Sequence, residues 1–117
     1  MFKVDGTKIT ISRGDTGSID FTATGYDFGE NDRAVFSVKN GHGQIVKQDI
    51  HELTEGVFTA TFFNADTKDL PAGNYTWDVR YVIDPQYDED ENIVDGAQVI
   101  TPMEPQKMEL LETAGKI

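Results

Sequence analysis

The sequence predicts an all-β fold, an antiparallel β-sandwich of about seven or eight strands with one short helical turn. Two observations predict this fold. Apolar and polar residues alternate with a period of two in several runs, as strands with one buried face require. Turn-forming residues separate these runs, and no long helical pattern lies between them. With 117 residues the chain is long enough for one hydrophobic core, so we expect a single domain over residues 1–117.

The strongest alternation lies between Tyr75 and Ile83, where every second residue is apolar or aromatic and Val82 is the one exception. A helix over this segment would bury Asp78, which is costly. Shorter runs of the same kind predict strands around Ile9–Ile11, Ile19–Ala23, Ala34–Val38 and Phe58–Phe62. The core that these strands predict includes Phe21, Phe36, Phe58, Phe62, Tyr75, Trp77 and Val79.

Turn and cap signals predict the connections between strands. Asn40 to Gly43 predicts a hairpin loop, because Asn and Gly adopt positive φ at low cost, and an edge-like strand follows at Gln44 to Asp49. Asn64 to Leu70 predicts one helical turn, with Asn64 or Asp66 as its cap.

Two further segments predict structural features and not functional ones. Leu70 to Tyr75 has the pattern of a tyrosine corner, in which the Tyr75 hydroxyl bonds back to upstream backbone. The segment 105–117 allows either a helix over Gln106 to Ala114 or a final strand with Met108 and Leu110 inward. We favour the strand, because a sandwich of this size needs a partner for its first strand.

Charge and composition exclude several classes of function. Ten Lys and Arg against 21 Asp and Glu give a net charge of −11, which repels nucleic acid and anionic membranes. No apolar run exceeds three residues, so we expect no membrane-spanning helix. The chain has no Cys, which excludes disulfides and thiolate metal sites.

One string resembles a catalytic motif. Asp15-Thr16-Gly17-Ser18 resembles the active-site motif of the dimeric aspartic proteases, in which two Asp residues share one proton across a dimer axis. Here Ser12 to Gly14 precede Asp15, whereas in that family a buried hydrophobic strand runs directly into the Asp. We therefore favour a tight turn between two strands and expect no enzyme, with catalysis by Asp15 as the alternative.

The acidic loop 84–95 carries candidate metal ligands and no basic residue. Its carboxylates suggest Ca²⁺ as the one candidate cofactor, with no other cofactor expected. The spacing Asp88-x-Asp90-x-Asn92 imitates the start of an EF-hand loop, but Ile93 stands where that loop needs Gly. The alternative is a solvated hairpin tip. The candidate metal ligands are Asp84, Asp88, Asp90 and Asp95.

Aromatic residues raise a carbohydrate-binding alternative. Tyr75, Trp77 and Tyr81 share the phase of the apolar residues of their strand, so we expect them in the core, and Tyr87 lies in the acidic loop. A Ca²⁺- or carbohydrate-binding β-sandwich module of a bacterial surface protein is therefore the second hypothesis for function.

The order of these elements resembles a known family. The pieces that carry the resemblance are Arg13 to Thr16 before a strand, Ala34 to Lys39, Gly56 to Ala60, and Asp66-Thr67 followed by Leu70 to Val79. Over residues 8–83 this pattern is similar to the immunoglobulin-like N-terminal domain of upper-baseplate and tail-fibre adaptor proteins from phages and prophages of Gram-positive bacteria. The acidic insert at 84–95 is longer than the short hairpin expected in that family.

The resemblance implies a non-enzymatic virion structural or adaptor module that holds other virion proteins through protein–protein contacts and can form homo-oligomers. It also implies a virion location after assembly in the bacterial cytoplasm, which the lack of Cys and of an N-terminal apolar signal stretch fits. The mechanism we expect is contact through a strand edge or a sheet face with a neighbouring subunit.

Overall fold

The computed structural model describes residues 1–114, which form eleven strands and one short helix, and the all-β sandwich prediction is confirmed. Residues 115–117, the end of the predicted segment 105–117, lie outside the described residues. In chain order the elements are β1 (Phe2–Asp5), β2 (Lys8–Ser12), β3 (Gly17–Thr22), β4 (Arg33–Lys39), β5 (Ile45–Glu52), β6 (Val57–Phe62), α1 (Asn64–Thr67), β7 (Gly73–Ile83), β8 (Gln86–Tyr87), β9 (Ile93–Asp95), β10 (Gln98–Ile100) and β11 (Gln106–Leu111).

Two sheets of very different size face each other. The larger has the strand order β1-β2-β11-β7-β4-β5, and β10 also pairs with β7. The smaller consists of β3 and β6, while β8 and β9 form a separate two-stranded hairpin. All described pairs of strands are antiparallel except β2 with β11, which are parallel, a departure from the purely antiparallel prediction.

The core lies between the two sheets and is rich in aromatic rings. Of the predicted core residues, Phe21 is half-buried and packs against the cluster, with its ring stacked on that of Phe58 at 4.9 Å. Trp77 donates its indole N–H to the carbonyl of Thr7 at 2.9 Å, so its one polar atom is satisfied. The other predicted core residues are buried, namely Phe36, Phe58, Phe62, Tyr75, Trp77 and Val79.

Of the two interpretations of the last segment, the structure shows the strand, and the helix is wrong. β11 lies between β2 and β7, where Met108 is opposite Ile9 on one side and Tyr75 on the other. Met108 and Leu110 are each 1% exposed. β11 gives β2 a second partner besides β1 and so joins the hairpin of β1 and β2 to the rest of the large sheet.

Four short strands, β1, β8, β9 and β10, were not predicted. Each has two to four residues, which is too short to show a period of two. Two of them, β8 and β9, lie within the acidic loop 84–95, which is therefore a hairpin with a turn at its tip.

The helix α1 is shorter than predicted and is capped differently. Its N-cap is Phe63, whose backbone N–H donates to the Asp66 carboxylate at 2.7 Å. Capping by Asn64 is wrong, because the Asn64 amide donates to the carbonyl of Gly14 at 2.8 Å instead. The Gly14 N–H in turn donates to the Thr67 hydroxyl at 2.8 Å, so the helix fixes the turn before β3. No helix within residues 1–114 is long and apolar enough to cross a bilayer.

The tyrosine corner is present. The Tyr75 hydroxyl donates to the carbonyl of Pro71 at 2.6 Å, and the residue is 7% exposed. The bond ties the connection after α1 to the start of β7.

The turn between β5 and β6 gives a first test of the fold. Glu55 and Gly56 have φ of 54° and 77°, and Thr54 and Val57 exchange both backbone hydrogen bonds across them. This arrangement favours Asn-Gly, so we expect Glu55→Asn to raise the free energy of unfolding by about 0.5 kcal/mol. Gly56→Ala should lower it by at least about 1 kcal/mol, because the added Cβ would lie 2.8 Å from the Ala23 carbonyl oxygen. Urea unfolding measures the free energy of unfolding of both variants. Equal stability of the two variants would contradict this turn conformation.

The tyrosine corner gives a second test. Tyr75→Phe removes the hydroxyl and leaves the Pro71 carbonyl without that donor, so we expect a loss of about 1 kcal/mol in urea unfolding. The control is Tyr87→Phe, at a side chain 46% exposed in the acidic hairpin, which should change stability little. A Tyr75→Phe protein as stable as the control would refute a structural role for the corner.

Candidate functional site

The outer face of the large sheet, opposite the core, carries a row of side chains from three strands. Val35 of β4 lies opposite Ile50 of β5 and Arg80 of β7, so the three form one row across the sheet. In the next row Ser37 of β4 lies opposite Asp78 of β7. This mixed face is the floor of a groove.

The acidic hairpin forms a wall over this face. The chain leaves β7 at Ile83, forms β8 and β9, and returns as β10, which pairs with β7 so that Val99 lies opposite Val82. The base of the hairpin lies directly on the sheet, since a Cβ on Gly96 would lie 2.6 Å from the nearest Val82 methyl carbon. Only glycine allows this approach.

The groove between floor and wall has a volume of about 480 Å³, within the range of ligand-binding clefts. Four of its apolar lining residues are at least 40% exposed: Ile45, Ile50, Val94 and Val99. Among the described residues that line the groove none is aromatic, so it offers no stacking surface for a sugar ring.

Among the polar groups of the groove, the side-chain amide of Gln48 donates to the Ser37 hydroxyl at 3.0 Å, whereas the charged side chains of Asp78 and Arg80 are unpaired within the described residues. Asp78 is half-buried and Arg80 is exposed, and within residues 1–114 neither side chain makes a hydrogen bond or an ion pair. The hairpin adds six carboxylates and no base between residues 84 and 95. At its tip the Asp88 carboxylate accepts the N–H groups of Asp90 and Asn92 at 2.9 and 3.0 Å, which orders the turn.

The edge strand β5 differs from the groove because its inward side chains are charged. The Lys47 side chain is 4% exposed, and its ammonium lies 2.7 Å from the Asp49 carboxylate and 3.0 Å from that of Asp66. The same ammonium lies 5.2 Å from the centre of the Phe62 ring. Inward charges on an edge strand oppose pairing with another chain.

His51, also on β5, is a half-buried imidazole with an unsatisfied nitrogen. Its ring stacks on that of Phe58 at 5.4 Å, and within residues 1–114 its Nε2 has no hydrogen-bond partner. Burial lowers the pKa of His51 below its usual value of 6.5, and Lys47 lowers it further, while Asp49 opposes both. The neutral imidazole is therefore favoured in the folded protein.

The candidate catalytic residue Asp15 lies in the turn before β3, as the turn interpretation predicts. Its carboxylate pairs with the amino group of Met1, and its backbone N–H donates to the Ser12 carbonyl at 3.0 Å. Its neighbour Gly14 is buried against α1. The turn thus has a structural role in joining the N-terminal strands to the helix.

The four candidate metal ligands lie along the acidic hairpin. Asp88 orders the tip, and Asp95 accepts the N–H of Gly96 at 2.8 Å at the base. Asp84 precedes β8, and its own N–H donates to the Asp32 carboxylate. Within residues 1–114 no three His, Asp or Glu side chains form a group that would hold a metal ion.

Sequence reasoning did not find the groove, although one signal pointed to it. Val82 breaks the alternation of β7 by placing an apolar residue on the outer face, and it is 4% exposed because the hairpin base and β10 cover it. An apolar exception on a solvent-facing side indicates that something packs there.

His51 predicts a pH dependence of stability. Because its pKa is lower in the folded than in the unfolded chain, the stabilisation is present above pH 6.5 and is lost as the pH falls through the folded pKa. We expect urea unfolding of His51→Gln to show a shallower loss of stability than the wild type between pH 7.5 and pH 5. His42→Gln, in the exposed hairpin loop, is the control and should follow the wild type. Parallel curves for all three proteins would contradict this role of His51.

Comparisons with known proteins give distant similarity to solved structures. No protein-family model matches the chain, and no curated protein matches its sequence. A matching solved structure is that of a "putative glycoside hydrolase from Bacteroides vulgatus ATCC 8482", with a TM-score of 0.46 and 13% sequence identity. The match covers 92% of this chain and 17% of that chain, so the present chain spans less than a fifth of that protein.

Proposed function

We propose that the chain is a non-enzymatic structural or adaptor module of a phage or prophage virion, which holds other virion proteins through protein–protein contacts. The observation that carries the proposal is the outer-face groove, where exposed apolar side chains lie beside Asp78 and Arg80, polar groups without partners in residues 1–114. Exposed apolar surface rimmed by polar groups is typical of interaction sites.

The geometry favours contact through the sheet face over contact through the β5 edge. Lys47, Asp49 and His51 point inward from β5, and the pairing of β4 with β5 changes register between Val38 and Lys39. Inward charge and irregular pairing both discourage strand addition at that edge. The outer face has no such protection, and its groove is open to a partner.

The test uses the proteins encoded next to this chain in its genome. We expect at least one virion protein from that neighbourhood to bind the purified chain in calorimetry. The double variant Ile50→Ser, Val94→Ser removes exposed apolar contacts from the groove and should weaken binding at least about tenfold, which corresponds to about 1.4 kcal/mol. Both side chains changed in this variant are exposed, as are Val57 and Phe63, which the control variant changes, so the variants should still fold.

The control removes equally exposed apolar side chains outside the groove. Val57→Ser, Phe63→Ser should change affinity less than about twofold if the groove is the binding surface. A chain that is monomeric in light scattering and binds none of the neighbouring virion proteins would refute the proposed function.

A further inference from the structure

We infer that the groove takes an extended, basic segment of a partner protein, which adds as a third strand to the free edge of β9. The inference rests on the proposed function and names the chemistry of the partner at that site. Three features of the groove carry it: the exposed strand edge, the dimensions and the charge.

The first feature is the unpaired edge of β9. Within residues 1–114 this strand pairs only with β8, through Gln86 opposite Asp95 and Tyr87 opposite Ile93. Residues 92–95 line the groove, whereas Gln86 and Tyr87 line a different depression beside Arg33. The edge of β9 that β8 leaves free therefore faces the groove. An extended segment lying there can exchange main-chain hydrogen bonds with β9, which is the mode of recognition by strand addition.

The second feature is size. The floor runs along β7 from Asp78 to Val82, which corresponds to about 13 Å of strand and so to an extended segment of about five residues. An α-helix of that length with a diameter of about 10 Å would occupy roughly 1,000 Å³. The groove holds about 480 Å³, less than half of that volume, so a helix would lie largely outside it.

The third feature is charge. The lining alone is balanced, because Lys39 and Arg80 oppose Asp78 and Asp95. The hairpin that forms the wall adds further carboxylates without any base, so the potential over the groove is negative. A strand that alternates apolar and basic residues would place its apolar side chains on Val35 and Ile50 of the floor and its basic side chains on the opposite, solvent-facing side, where the carboxylates of the hairpin attract them.

The probes are two synthetic peptides of eight residues, one of alternating lysine and valine and one of alternating glutamate and valine. We expect the lysine peptide to bind the ¹⁵N-labelled chain, with amide shifts at Ile93 to Asp95, at Val99 and at Val82. The glutamate peptide should not bind. Methylating alternate backbone nitrogens of the lysine peptide should weaken binding at least about tenfold, because it removes the donors that strand addition uses.

Two charge variants distinguish the effect of the hairpin carboxylates on peptide binding from the effect of the chain's net charge. Neutralising the hairpin as Asp88→Asn, Glu89→Gln, Asp90→Asn, Glu91→Gln should weaken binding of the lysine peptide at least about fivefold at low salt. The control variant makes the same change in net charge at four exposed sites elsewhere: Asp5→Asn, Glu30→Gln, Asp69→Asn and Glu104→Gln. This control should weaken binding of the lysine peptide less than about twofold.

The outcomes separate this inference from the proposed function. Amide shifts away from the groove, equal loss in both charge variants, or full binding of the methylated peptide would each overturn strand addition by a basic segment. If a neighbouring virion protein binds through a helix or through an acidic segment, the proposed function stands and this inference falls. If the lysine peptide binds as expected while no virion protein does, the groove chemistry stands and the proposed function falls.

Discussion

The backbone pairing of β7 is the constraint on which the rest of the structure depends. This strand of eleven residues pairs along one side with β4 and along the other with β11 and then β10. β10 and β11 both pair with the same side of β7. The chain therefore leaves the end of β7, turns back and runs along that side, first as β10 and then as β11. The inner face is filled by the aromatic core, so the excursion of residues 84–97 lies on the outer face. The groove is therefore a consequence of how one long strand is paired.

The free edges of β5 and β9 carry different kinds of side chains. At β5 the inward positions hold Lys47, Asp49 and His51, whose burial would make a new register costly, since a shifted strand would separate the ammonium from its carboxylates. At β9 the side chains are apolar or acidic and the strand is too short to aggregate by itself. The chain thus protects the long edge of β5 and leaves the short edge of β9 without inward charges, beside the groove.

Much of the fold follows from the sequence, because a period of two decides which face of a strand is buried. Phe36 and Trp77 are in the core for that reason, and Tyr75 follows from the spacing of the corner before it. The candidate site does not follow, because it depends on where a segment with no periodicity comes to lie. Gln86 and Val94 belong to strands of two and three residues, and their positions are set by the tertiary pairing of β10 with β7.

The backbone of the hairpin shows that its acidity has a conformational cost. Asp84 and Glu91 have φ of 47° and 63°, the left-handed region in which glycine is favoured and other residues lose about 1 kcal/mol or more. Asp84 is held there by the buried Asp32, whose carboxylate accepts the N–H of Asp84 and that of Gly29. Glycine at either position would relieve the strain but remove a carboxylate. The cost is not confined to the hairpin, because Glu55 in the turn between β5 and β6 adopts the same region at φ 54°, so acidic residues in left-handed turns are a general feature of this chain.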